Sequence, residues 1–329
     1  MKLFRTALLL FGAAVLVYLI ARVGTEPLVA SLTRLTWWQF VLVCLPYGIV
    51  MAVDTLGWRY AFPGDPAPYG RMLAARVAGE AVNVVTAVGS IGGEAVKVWL
   101  LRPAVPYEAS VPSVIIAKTT ITIAQALFLV LGLAMAATVV TVDGPILTAM
   151  LGLLVVEVFG VGGFFAAQVT GLVRRSGRLL AWAGLIKDAA YAERLDAALR
   201  GFYRYRWRQC LVSVAAHLVG WLLGVLEALI VVWVLDIPLT VGATTVVEAL
   251  GSGVRFATFL VPGSLGTLEG AYAAAFAGLG VGAGAGLTFS LVRRGRQAVW
   301  IGVGLLVLVA ARANAPFAGA GAAPRGSAR

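Results

Sequence analysis

Residues 261–270 read Val261-Pro262-Gly263-Ser264-Leu265-Gly266-Thr267-Leu268-Glu269-Gly270, inside a long apolar region. A helix immersed in lipid normally excludes a proline, clustered glycines and a carboxylate. Proline and glycine loosen or break the helix, and the freed backbone groups then need partners that lipid does not provide. Such a break survives at membrane depth only where it is buried in protein or lines a polar cavity. A relative of this stretch, Gly89-Ser90-Ile91-Gly92-Gly93-Glu94, lies in the first half of the chain. Both read Gly-Ser-x-Gly with a glutamate shortly after. Two matching interruptions, one in each half of a membrane protein, are the sequence signature of a transport site.

The background supports a membrane setting. Of 329 residues, 60% are hydrophobic and 12% charged, with mean hydropathy +0.93. This composition predicts a multi-span helical protein without a sizeable soluble domain. The apolar runs are continuous rather than alternating, which argues against a β-barrel. A net charge of +11 fits cytoplasmic loops rich in Lys and Arg, and contact with anionic lipid head groups. Nucleic acid is not expected as a partner. Cys44 and Cys210 are far apart, match no metal spacing, and read as buried thiols. With His217 as the single histidine, no metal and no cofactor are expected.

In chain order, full spans are expected at about 7–20, 40–58, 111–140, 146–169, 210–235 and 283–311. Lys2 and Arg5 place the start in the cytoplasm, and the first span reads as uncleaved. Residues 71–102 are too polar and interrupted for one crossing. Arg76, Glu80 and Asn83 are spaced four and then three apart, on one helix face, before the glycine break. Glu94 and Lys97 follow on a second short arm. Residues 240–282 repeat the plan, with Glu248, Ser252 and Arg255 at the same spacing and Glu269 opening the return arm. The basic stretch 171–208 is expected in the cytoplasm, with an amphipathic helix from about Leu185 to Phe202 lying on the membrane. Residues 1–313 form one polytopic domain, and 314–329 read as a disordered cytoplasmic tail. Three expected spans separate the broken units, an odd number, so the units enter from opposite faces. The expected fold is an all-α integral membrane protein. It has about six full transmembrane helices plus two re-entrant broken helical hairpins related as an inverted repeat.

A charge at depth costs roughly 2.5–3.5 kcal/mol by insertion scales, so each one requires a partner or a cavity. Arg293, Arg296 and Gln297 share a face and could hold a lipid phosphate bidentately, while Arg294 points elsewhere. Glu94 and Glu269 either cap the helix that follows each break or titrate and pair with a cation during a cycle. Glu80 and Lys118 are opposite charges in apolar surroundings, suited to an ion pair or to a site. Arg255 and Asn83 complete the candidate set. Asp54, Glu157 and Glu227 are single acids in spans, either cavity-lining or bonded between helices. His217 is either a satisfied interior histidine or a proton relay.

Three features together resemble the lysylphosphatidylglycerol synthase transmembrane-domain family of flippase-like bacterial membrane proteins. They are Gly92-Gly93-Glu94 after an Asn83-bearing helix, Pro262-Gly263-Ser264-Leu265-Gly266-Thr267-Leu268-Glu269, and the arginines of the last span. Ser264 stands where the family commonly has a second glycine. The resemblance covers nearly the whole chain and implies movement of a polar-headed, anionic or related lipid across or out of the inner membrane. It implies no lipid aminoacylation, since no soluble transferase domain is expected. The implied location is the bacterial cytoplasmic membrane with both termini inside. Membrane lipids are the expected partners, and a coupling proton or cation is left open. Two other readings remain: an ion-coupled carrier of a small solute, and a membrane-embedded lipid enzyme. The second lacks a nucleophile–base set, so the chain is not expected to be an enzyme.

Overall fold

The computed structural model describes residues 2–33, 35–64, 66–86, 91–138, 144–172, 174–176 and 189–313. The regular elements among them are helices: α1 (Lys2–Val23), α2 (Thr25–Thr33), α3 (Trp37–Tyr60), α4 (Tyr69–Val85), α5 (Ile91–Leu101), α6 (Tyr107–Thr138), α7 (Gly144–Val169), α8 (Ala189–Tyr205), α9 (Trp207–Val234), α10 (Val241–Ala257), α11 (Thr267–Gly278) and α12 (Ala283–Ala313). A single 3-10 turn, Pro262–Ser264, lies between α10 and α11.

Five of these, α3, α6, α7, α9 and α12, are long and apolar enough to cross a membrane. They match the later five of the six expected spans to within a few residues. The segment expected as the first span is the helix α1, whose described apolar part, Ala13–Val23, falls short of that length. Both broken units take the expected form of a longer helix followed by a shorter one. In the first, α4 has 17 residues and α5 has 11; in the second, α10 has 17 and α11 has 12. None of these arms reaches the roughly 20 residues that a perpendicular crossing needs. Gly89 and Ser90, on which the first break was read, lie outside the described residues, as does the tail from 314.

The helix ends follow from local chemistry. Thr36 donates its backbone N–H to Gln39 Oε1 at 2.9 Å, fixing the start of α3. Thr240 Oγ1 accepts from Ala243 N at 3.2 Å at the start of α10. Among the described residues, buried apolar side chains form two clusters. The larger includes Phe128, Met150, Val231, Val247, Phe276 and Phe289. The smaller gathers Trp58, Phe62, Met72, Leu101, Leu199 and Phe202. The long helix α12 packs against both α4 and α11, and so joins the two broken units.

The amphipathic helix sits differently from the expectation. Its described part is Ala189–Tyr205, Leu185 lies outside the described residues, and its apolar face meets protein. Leu199 is 0% and Phe202 2% exposed, in the smaller core. Tyr203 donates to Gln168 Oε1 of α7 at 2.7 Å, and Gln168 Nε2 donates to Thr119 of α6 at 2.8 Å. A helix with hydrogen-bond partners and a core on one face has little apolar surface left for a bilayer.

Candidate functional site in the last helix and the two breaks

The second break is held open by hydrogen bonds from elsewhere in the chain. The α10 helix ends at Ala257. The backbone then turns through left-handed conformations at Gly263 (φ 57°), Ser264 (φ 49°) and Gly266 (φ 77°) before α11 begins. Glycine adopts these without strain, and Ser264 is the non-glycine exception. Arg294 reaches into this turn from α12. Its Nη1 donates to Gly263 O at 2.6 Å and its Nη2 to Ser264 O at 3.3 Å. Its Nε donates to Glu269 Oε1 at 2.6 Å. The other Glu269 oxygen accepts Gly266 N at 2.7 Å, so the carboxylate caps α11 and neutralises the arginine at once. Carbonyls released by the break therefore have a donor, as an interruption at membrane depth requires.

One residue before it, Arg293 is the hub of a buried ion cluster. Its Nε donates to Glu227 Oε1 of α9 at 3.1 Å and its Nη2 to Glu248 Oε1 of α10 at 3.0 Å. Its Nη1 bonds the second Glu248 oxygen and, at 2.9 Å, Tyr272 Oη of α11. The bidentate fork on Glu248 gives orientation as well as attraction. Arg296 Nε lies 3.2 Å from Glu227 Oε1, and the guanidinium stacks 4.1 Å from the Tyr47 ring centre. That contact is close enough for charge attraction but misaligned for hydrogen bonding, since Arg296 Nε is buried with no hydrogen-bond partner. The arginines 293, 294 and 296 thus stand against the carboxylates 227, 248 and 269.

A narrow crevice lies between α3, α4 and α12, and Tyr47, on whose ring Arg296 stacks, forms part of its wall. Tyr47, Glu80, Val84, Gln297, Trp300 and Ile301 are among its walls. Its walls are mostly apolar and include one half-buried carboxylate and one half-buried amide.

The first unit is organised more locally. Asn83 Oδ1 accepts Gly93 N at 2.8 Å, and Asn83 Nδ2 donates to Glu94 Oε1 at 3.3 Å. Lys97 Nζ donates to both Glu94 oxygens at 2.8 and 2.9 Å, one turn along α5. The two helices touch closely: a Cβ added at Gly79 would lie 2.8 Å from Gly93 O. Nearby, Asp54 of α3 accepts Arg76 Nη2 of α4 at 2.8 Å and lies 2.8 Å from His217 Nδ1 of α9.

The expected residues divide accordingly. Arg293 and Arg296 do meet, on Glu227, whereas Glu269 pairs with Arg294. Gln297 serves Arg294, at 2.9 Å, rather than Arg293 or Arg296, because Arg293 is held by Glu227 and Glu248 while Arg294 is anchored on the break one helical turn away. Arg294, expected to point elsewhere, is the residue that enters the break. Asn83 and Glu94 join a second cluster. Glu80 and Lys118 are half-buried and make no ion pair with each other or with any other described residue. Arg255 lies exposed in the last turn of α10. The sequence reading took Glu227 as a lone acid and passed over Tyr47 and Tyr272. Glu227 and Tyr272 meet Arg293 from 66 and 21 residues away, and Tyr47 meets Arg296 from the second span, all beyond helical spacing. Among the single acids, Glu157 is 0% exposed with neither carboxylate oxygen bonded. Among the described residues no group of three or more His, Cys, Asp or Glu side chains is placed to hold a metal.

A model of the lysylphosphatidylglycerol synthase TM region matches residues 5–305. The chain belongs to that family. No curated protein and no solved structure matches it. Membership in the lysylphosphatidylglycerol synthase TM-region family makes the chain a membrane-embedded protein related to lipid flippases. The matched region contains both broken units and every arginine and carboxylate of the clusters above.

Proposed function

We propose that this chain translocates a polar-headed, anionic lipid across the cytoplasmic membrane, and that it does so without enzymatic chemistry. The observation that carries the reading is Arg296. It is buried beside the crevice, held by one misaligned carboxylate contact and an aromatic face, and so retains unused donors. A phosphate entering between α3, α4 and α12 would meet those donors while the acyl chains rest on Trp300, Ile301 and Val84. Arg293 and Arg294 are saturated by carboxylates or carbonyls and serve to hold α9, α10, α11 and α12 in register. The two broken units, similar in length and joined through α12, support an inverted-repeat arrangement in which one face of the site opens at a time.

The test is translocation of a fluorescent phosphatidylglycerol in proteoliposomes, read by quenching of the outer leaflet. Arg296→Ala is expected to slow translocation at least about tenfold, since a charged hydrogen bond contributes about 1.5–3 kcal/mol. An unchanged rate in a well-folded variant removes Arg296 as the head-group ligand. A variant that moves a soluble solute but no lipid would favour the small-solute carrier.

A further inference from the structure

We propose that His217, Asp54 and Arg76 form a proton-binding site, and that proton uptake there transfers Arg76 from Asp54 to Glu80.

The three side chains come from α9, α3 and α4. His217 is 1% exposed and Asp54 5%. Asp54 is the shared member: one oxygen lies 2.8 Å from His217 Nδ1 and the other accepts Arg76 Nη2 at 2.8 Å. The second ring nitrogen, His217 Nε2, is buried with no hydrogen-bond partner. It faces Gly57 of α3, where an added Cβ would lie 2.8 Å from it. A ring with one nitrogen on a carboxylate and the other unpaired has room for one proton. With that proton absent, Arg76, Asp54 and a neutral imidazole sum to zero charge. With it bound, they carry one uncompensated positive charge away from bulk water, which is costly.

A neutral rearrangement is already built beside them. Glu80 follows Arg76 by one turn of α4, acts electrostatically on it, and forms no ion pair among the described residues. Arg76 Nε is buried without a hydrogen-bond partner. Both ends of an Arg76–Glu80 contact are therefore vacant. The proton goes to His217 Nε2, the imidazolium keeps Asp54, and Arg76 pairs with Glu80.

Other charged groups stand on the elements packed around these helices. On α5, Glu94 and Lys97 pair with each other, while Glu94 also acts electrostatically on Arg76 and Lys97 on both Arg76 and Glu80. Tyr47 of α3 is stacked under Arg296. On α10 and α12, Glu248, Arg293 and Arg296 are gathered around Glu227, ten residues further along α9. From α6 comes Lys118, which makes no ion pair among the described residues. On α8 stand Arg204 and Arg200, the latter paired with Asp196 at 2.6 Å.

Glu80 also lines the crevice beside Arg296. Its neutralisation by Arg76 would change the charge that a lipid head group meets there. This consequence rests on the lipid-translocation reading, whereas the proton site does not.

His217 is the only histidine, so protein labelled with 15N-histidine gives a single imidazole signal. The signal is to be recorded in nanodiscs across roughly pH 5–8, the range in which imidazole changes charge. The expected result is one titration step, displaced by about 0.5 pH unit or more in Glu80→Gln and in Asp54→Asn and unmoved in Glu157→Gln. Glu80 is half-buried and unpaired, so its variant stays informative if the Asp54 variant does not fold. An imidazole signal that does not change across the range overturns the proposal. So does a titration step that is the same in wild type and Glu80→Gln. A parallel measurement applies a pH gradient to the proteoliposomes, and lipid movement is expected to respond to it in wild type and not in Glu80→Gln. A histidine that titrates as described in a protein that moves no lipid upholds the proton site and contradicts the translocation reading.

Discussion

The two broken units share a layout and differ in how they balance charge. In each, a 17-residue helix meets a shorter one across a glycine-bearing interruption, and a side-chain oxygen accepts a backbone N–H of the returning arm. In the first that oxygen belongs to Asn83, and the acid that follows is neutralised within its own helix by Lys97. In the second it belongs to Glu269, and the neutralising arginine comes from α12. The first unit is thus closed by local pairing and by the close approach of Gly79 to Gly93. The second is closed only when α9, α10, α11 and α12 are all in place. A locally closed hairpin can move as a body, whereas a cross-braced one holds its position. On this reading the second unit with α12 is the frame, and the first unit shifts against it once Arg76 of α4 lets go of Asp54 on α3.

The contrast fixes the order of mutational effects. The largest belongs to Arg293. Arg293→Leu leaves Glu227 and Glu248 buried with too little positive charge, and is expected to cost about 3–5 kcal/mol. Thermal unfolding in detergent should show loss of the folded protein or a steep fall in Tm. Its counterpart in the first unit, Lys97→Met, leaves Glu94 partly exposed, with a side chain 20% accessible and still bonded to Asn83. A cost of about 1–2 kcal/mol is expected there. Equal costs for the two would abolish the distinction between frame and mover.

Gly79→Ala sharpens the comparison from the other side. It forces a methyl against the Gly93 carbonyl and should separate α4 from α5 at a cost of about 1–3 kcal/mol. Hydrogen exchange should rise in residues 79–97 and stay unchanged in residues 258–270. Exchange that rises equally in both would mean the units do not move separately. Glu157→Leu comes next. It removes a buried carboxyl with no partner and should raise stability by about 1 kcal/mol, read as an increase in Tm. The smallest effect is expected at exposed Arg255, where Ala should change stability by less than about 0.5 kcal/mol.

Much of the frame was legible in the sequence. Apolar run lengths gave five of the six expected spans, and Pro262, Gly263 and Gly266 gave the second break, because only a few residues tolerate those dihedrals. The face shared by Arg293 and Arg296 followed from helical spacing. What spacing does not encode is which helix lies opposite. Glu227, Glu248 and Arg293 are separated by a turn, a break and two helices, so their meeting is set by packing. The same holds for Asp54 and His217, 163 residues apart. Gln297 shows the limit on a single helix: its neighbours at both i−1 and i−4 were plausible partners, yet it bonds Arg294 at i−3 because that arginine is anchored on the break.

The account depends above all on the two units dipping into the membrane from opposite faces. Single cysteines, introduced after replacing Cys44 and Cys210, can be labelled in spheroplasts and in inverted vesicles with a membrane-impermeant maleimide. Gly64→Cys and Ala104→Cys flank the first unit, and Pro238→Cys and Ala277→Cys flank the second. The first pair should label only from the cytoplasmic face and the second pair only from the outer face. Members of one pair labelling from opposite faces would show that unit to be a plain crossing and would contradict the account.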